Sequence, residues 1–245
     1  MRAALRDAMQ TIADLDATMA DMAVVTDLNI SDYWNQLPEY TQRANDLGLA
    51  IGDVYKADTL FYQQGLKTNE VVAISTETMK MASIAGLDTA EATDRMTAAL
   101  RGFNMELDET SAKKIADVYS ELAAITAADV DEISTAMTKT ASIASSAGME
   151  FETTAAFLSQ IIETTRESAE TAGTAMKTVI ARFQELKKSP DEIGEVDGEI
   201  VDANAIETAL RSVGVSLRDA GGQFRELDDV FLELSGKWNT LDKNT

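Results

Sequence analysis

Cysteine and histidine are both absent from the 245 residues. That removes disulfides, thiol nucleophiles, thiolate or imidazole zinc sites and the commonest general base, so a Ser/His/Asp triad cannot be built. Only 2 prolines occur, and aromatics make up 6% of the chain. No run of about 18 apolar residues exists to span a bilayer, and the opening Met1-Arg2-Ala3-Ala4-Leu5 soon meets Asp7, Asp14 and Asp16, which breaks any signal-peptide core. Bases are scarce too: 21 Lys and Arg stand against 42 acids, a formal charge of −21. Such a surface repels phosphate backbones and anionic lipid, which disfavours nucleic-acid or polybasic membrane roles.

What is present is helix-forming composition, 45% hydrophobic, with Ala, Thr, Ser, Leu, Ile and Glu prominent. The expectation is an all-α fold with a real core, in one large domain or two small ones. Six times a helical run stops at a glycine followed by an apolar residue: Gly48-Leu49, Gly65-Leu66, Gly86-Leu87, Gly102-Phe103, Gly148-Met149 and Gly214-Val215. Glycine tolerates the left-handed conformation that ends a helix, and the apolar residue beyond it folds back on the last turn. Start signals follow at Asp88 with Glu91, Asp129 with Glu132 and Ser216 with Asp219, each an oxygen-bearing residue with an acid three places on. The chain therefore reads as a folded-back array of short helices.

At the N-terminus, Leu5, Ala8, Ile12, Leu15, Met19 and Met22 alternate by three and four residues, a seam of roughly three heptads. It suits either a bundle of copies or one amphipathic helix docked on its own domain. This helix occupies 1–28. A connector over 29–47 contains Pro38, which predicts a hinge near Leu37 or a late helix start.

Seven helices are expected in a body over 48–188. They include Asp108 to Ile125, Asp129 to Ser146, Glu150 to Thr165 and Ser168 to Lys187. The last is read with a buried stripe of Ala172, Ala175, Met176, Val179, Phe183 and Leu186. Met79, Met81, Met96 and Met137 are read as core. Asp197-Gly198 in segment 189–204 is a tight-turn signal for a small hairpin, but the segment is acidic and poor in apolar residues, which favours a flexible loop. Over 205–245 helix resumes, with Phe224, Leu227, Val230, Phe231, Leu234, Trp238 and Leu241 on a final helix. Its pattern still runs at Thr245, the mark of a truncated helix.

No catalytic, cofactor or metal constellation emerges. Neighbouring acids such as Asp228-Asp229 point about 100° apart on a helix, Asp191 to Gly198 lacks the ligand alternation of a calcium loop, and Gly221-Gly222 is not followed by the Lys-Ser/Thr of a phosphate loop. No enzyme and no cofactor are expected. The residues singled out are structural: Gly48, Gly65, Gly86, Gly102, Gly148, Gly173, Gly214, Gly222 and Phe224.

Four pieces, in order, carry a resemblance. They are Phe61-Tyr62-Gln63-Gln64-Gly65-Leu66; Gly86-Leu87 opening a helix; Ala172-Gly173-Thr174-Ala175; and Val213-Gly214-Val215-Ser216-Leu217-Arg218-Asp219 continuing to Gly222-Gln223-Phe224-Arg225-Glu226-Leu227. From about Asp46 onward the chain resembles the phage tail tape-measure proteins, the minor tail proteins of long-tailed phages and prophages. The resemblance implies a virion tail component in the lumen or at the tip, passing through host cytoplasm during assembly. It further implies that chain length sets tail length and that the protein leaves ahead of the DNA at infection. The implied partners are further copies of itself, the tail-tube protein, tail assembly chaperones and tip or baseplate proteins. The host membrane enters only during ejection, and no direct nucleic-acid binding is implied. A ruler needs long helix, at about 1.5 Å per residue, whereas glycines interrupt this chain every few turns, so this segment is expected to fold rather than measure. The competing reading is a stand-alone acidic helical adaptor or secreted effector.

Overall fold

A computed structural model describes residues 2–186, 194–196, 199–201 and 203–237, with side chains over 6, 9–184 and 206–237. The fold is all-α. Its helices are α1 (Arg2–Val24), α2 (Ile30–Leu47), α3 (Ile51–Gln63), α4 (Thr68–Ala85), α5 (Thr89–Gly102), α6 (Glu109–Ile125), α7 (Val130–Ser146), α8 (Phe151–Thr165), α9 (Ala169–Leu186), α10 (Ala203–Ser212) and α11 (Leu227–Lys237). The seven helices expected between 48 and 188 are α3 to α9, each ending within a few residues of its signal. In the acidic segment, β1 (Gly194–Val196) and β2 (Glu199–Val201) pair antiparallel, Glu195 opposite Ile200. The flexible loop favoured for this segment is corrected: over its described residues the backbone pairs as two short strands. The turn at Asp197-Gly198 lies outside the described residues, as do Trp238 and Leu241.

The chain divides into two compact units: Met1–Leu100 with Met105–Glu121, and Arg101–Asn104 with Leu122–Thr245. In the first, α3 packs against α1, α2 and α4. Leu15, Met19, Met22, Tyr33, Tyr40, Ala44, Val54, Tyr55, Ala57 and Met79 form its core. Of the N-terminal seam, Leu15, Met19 and Met22 therefore dock on the chain's own unit, while Ile12 is 55% exposed.

Proline 38 does not delay α2. Asn29 accepts the N–H groups of Ser31 and Asp32 while its own N–H donates to Asp32, a reciprocal cap that starts the helix at Ile30. That cap and the burial of Tyr33, Tyr40 and Ala44 offset the roughly 3 kcal/mol that an interior proline costs.

In the second unit α7 lies against α8 and α9. Val130, Ile133, Met137 and Ala144 bury one stripe of α7, and Phe151, Ala155, Leu158 and Ile162 one stripe of α8. On α9 the expected stripe is corrected. Ala169, Ala172, Met176 and Ile180 are buried, whereas Ala175 and Val179 are exposed, because the true stripe follows three- and four-residue steps through Ile180. The four methionines read as core are buried. A further cluster of Val215, Leu217 and Val230 gathers Phe183, Ile206, Leu210, Val213, Phe224 and Leu234.

Candidate functional site

The glycine joints share one backbone device. Gly48, Gly65, Gly86, Gly148, Gly214 and Gly222 have φ between 67° and 83°. At the first five of these, the apolar residue after the glycine donates its N–H five residues back: Leu49 to Ala44, Leu66 to Phe61, Leu87 to Ala82, Met149 to Ala144 and Val215 to Leu210. This 6→1 bond satisfies a carbonyl that the helix end would leave open. Val215 is fully buried, Met149 3% and Leu66 6% exposed, so these three joints also anchor a side chain, while Leu49 and Leu87 are half-buried.

The sixth joint departs from the pattern. Gly102 is the last residue of α5, and the left-handed residue is Asn104, with φ 50°; Met105 then donates to Leu100 at 2.8 Å. The cap has moved two residues along because Gly102 serves another need. A Cβ there would collide with the Ala141 side chain and stand 3.2 Å from the Ala141 and Ser142 backbone. Glycine is present to let the chain at Gly102 approach α7 closely.

Gly173 has the same role on α9. A Cβ there would lie 2.5 Å from the Ala136 carbonyl oxygen and 3.0 Å from its Cα, and the buried Thr140 hydroxyl donates to the Gly173 carbonyl at 3.1 Å. Helix α7 is thus gripped on two sides through small residues, the packing that lets backbones meet.

The C-terminal phrase folds otherwise than expected. Ser216 and Asp219 do not start a helix. Asp219 accepts the N–H groups of Gly221 and Gln223 at 2.8 and 2.9 Å, shaping a turn closed by an antiparallel bridge between Arg218 and Phe224. Phe224 therefore precedes α11 rather than riding on it, with the Arg218 guanidinium 3.9 Å from its ring centroid. The side-chain bonds of Asp219 compete with the helix there. The Asp129 and Glu132 pair does form a full capping box, and Asp88 accepts from Ala90 and Glu91.

Two polar sites had no motif to announce them. In the first unit Asp58, fully buried, accepts from the Tyr40 hydroxyl at 2.8 Å and from both terminal nitrogens of Arg43 at 2.8 and 3.2 Å. Arg43 also donates to Ser75 at 2.7 Å, so α2, α3 and α4 meet in one network. Burial first, and then the Asp58 charge, push the Tyr40 phenol well above its usual range, which keeps its proton in place as a donor. Tyr40 stacks on Tyr55 with centroids 3.7 Å apart. A signal did exist in the chain, since Arg43 is the lone base between residues 7 and 55.

In the second unit the carboxylate of Asp228, at the start of α11, accepts the N–H of Glu150 at the start of α8, 2.8 Å away. Burial raises the Asp228 carboxyl above its ordinary range despite that bond. Nearby, a Cβ on Gly148 would meet the Glu226 carboxylate.

Among the described residues no group of three or more acids has metal-binding geometry, and no helix is long and apolar enough to cross a membrane. The chemistry of these sites is that of joints and latches.

A family model described as phage-related minor tail protein matches residues 39–245. The curated tape measure protein of Pneumococcus phage Dp-1 is 26% identical over 170 residues, which is 69% of this chain and 13% of that protein. The chain thus spans about 13% of the length of that relative. No solved structure matches it.

Proposed function

The chain belongs to the phage-related minor tail protein family, and from that premise we propose that it is a folded helical segment of a tape-measure protein, held in the virion tail. In this reading the full-length protein sets tail length during assembly and leaves ahead of the DNA, while this segment is a compact domain of it. The observation that carries the domain reading is the set of joints at Gly48, Gly65, Gly86, Gly148 and Gly214. Each caps its helix with a left-handed glycine and turns an apolar residue back onto it. Helices of 10 to 23 residues bury apolar faces against neighbours in their own unit, which a fully extended ruler would leave in solvent.

Further copies of itself, the tail-tube protein, assembly chaperones and tip or baseplate proteins are the partners this role calls for. Passage down a narrow tube requires such a domain to unravel, and Ala-, Ser- and Thr-rich contacts bury little apolar area per residue.

The test is tail length. Deleting residues from a helical ruler shortens a tail by about 1.5 Å per residue. Phage particles carrying an in-frame deletion of residues 122–237, measured by electron microscopy, should keep their tail length to well within that proportion. Proportional shortening would assign this segment to the ruler.

A further inference from the structure

Helices α1 and α3 lie side by side and leave between them a groove of about 670 Å³. One wall is Thr18, Asp21, Val24 and Val25; the other is Gly52, Asp53, Lys56, Thr59, Leu60 and Gln63. On α3 the positions Gly52, Lys56, Thr59 and Gln63 step by four, three and four residues, so the trough follows one helical stripe for three turns. A trough of that length between two helices has the shape that a third helix fills.

Two observations mark it as unfilled. Val24, one of the lining residues, is 83% exposed. Gly52 has nothing within 4 Å of the place where a Cβ would stand, and its φ is not left-handed. Unlike Gly102 and Gly173, it meets no neighbouring helix of its own unit.

The charge around the groove selects the occupant. Asp21 and Asp53 stand on opposite walls and are exposed. Asp14, one turn before Thr18 on the same stripe of α1, is exposed as well. Residues 7–42 contain seven acids and no Lys or Arg. The lining holds one base, Lys56, whose charge also helps to hold the Asp88 carboxyl below its ordinary range. A second copy of this chain, at −21, would bring like charge to this rim, which is costly across an interface.

We propose that the α1/α3 groove of the first unit is a docking site for an amphipathic helix of another protein, its apolar side on Val24, Val25 and Leu60 and its flanks lysine- or arginine-rich. The close approach is made at Gly52, where a partner side chain or backbone enters the space a Cβ would take. Asp21 and Asp53 then set orientation and steer encounter from either wall. The site stands on the surface of the first unit and does not depend on the tail reading.

The test uses the full chain and three fluorescent synthetic helical peptides with one shared apolar face, flanked by Lys, by Gln or by Glu, followed by fluorescence anisotropy. The Lys-flanked peptide should bind at least about tenfold more tightly than the Glu-flanked one, and added salt should narrow the gap. A Cβ at Gly52 meets nothing within 4 Å and the φ there is not left-handed, so Gly52→Phe sets a ring in the trough; circular dichroism checks that the variant folds, and it should abolish binding. Asp21→Lys with Asp53→Lys should reverse the peptide preference. Equal binding of all three peptides, or unchanged binding by Gly52→Phe, would overturn the proposal. Sedimentation showing a dimer of the chain that Gly52→Phe dissolves would give the groove to a second copy and overturn it equally.

Discussion

Gly173 sets its bare Cα against the backbone of Ala136, so closely that one added methyl would stand 2.5 Å from the Ala136 carbonyl oxygen. Both partners are backbone, so neither can swing aside. Helix propensity alone would make Gly173→Ala stabilising by about 0.8 to 1 kcal/mol. The clash should reverse that sign, with a net loss of about 1 to 3 kcal/mol in chemical denaturation. Gly52→Ala is the control: with open space around it, it should gain about 0.5 to 1 kcal/mol.

The Asp58 network makes a second prediction. Asp58 is fully buried and the Arg43 side chain is 12% exposed, so truncating the acid leaves a desolvated guanidinium. Asp58→Ala should cost about 3 to 5 kcal/mol. Tyr40→Phe, which removes a single bond to a charged acceptor, should cost about 1.5 to 3 kcal/mol. Urea titration of both variants checks the order; Phe keeps the ring that stacks on Tyr55, so a larger loss from Tyr40→Phe would show that the hydroxyl bond, and not the ion pair, holds the first unit.

Asp228 ties stability to pH. Its carboxyl is raised above 3.8, first by burial and further by the charges of Glu150 and Asp229, against the pull of the Glu150 N–H. The folded chain thus holds that proton more tightly than the unfolded one does, so this group's contribution declines as pH rises from the ordinary carboxyl value through the raised one. Asp228→Asn keeps an acceptor for Glu150 and removes the buried charge. It should be at least as stable as the parent at neutral pH and should lose that part of the pH dependence, as thermal melts from mildly acid to neutral pH would show.

Asn104 carries the left-handed turn that glycine carries at the other joints. Asn104→Gly should stabilise by up to about 1 kcal/mol by relieving the Cβ contact, whereas Gly86→Ala at φ 68° should cost about 1 to 2 kcal/mol. Differential scanning calorimetry resolves both. If passage down the tail unravels the chain, as proposed, it should also melt well below about 90 °C.

The joints show why some features were legible and others were not. A helix end is a local event: Ala82 to Leu87 contains the carbonyl, the glycine and the apolar anchor of its own cap, so the pattern is visible in six consecutive residues. The start of α7 at Asp129 and Glu132 is local in the same way. Ser216 and Asp219 have the same spacing and make a turn instead, because the Asp219 carboxylate accepts the N–H groups of Gly221 and Gln223. Pro38 misled because the Asn29 cap and three buried side chains outweigh one lost bond.

By itself the sequence determined the helical class and most of the helix ends, since capping and periodicity act over a few residues and need no partner, and the order of its motifs marked the family. Only the tertiary structure decided that Gly102 and Gly173 are contacts between helices, that Arg43 and Asp58 belong together, and that Asp228 caps a helix 78 residues away. Those relationships depend on which faces meet when apolar stripes leave water, and nothing within one helix specifies its neighbour.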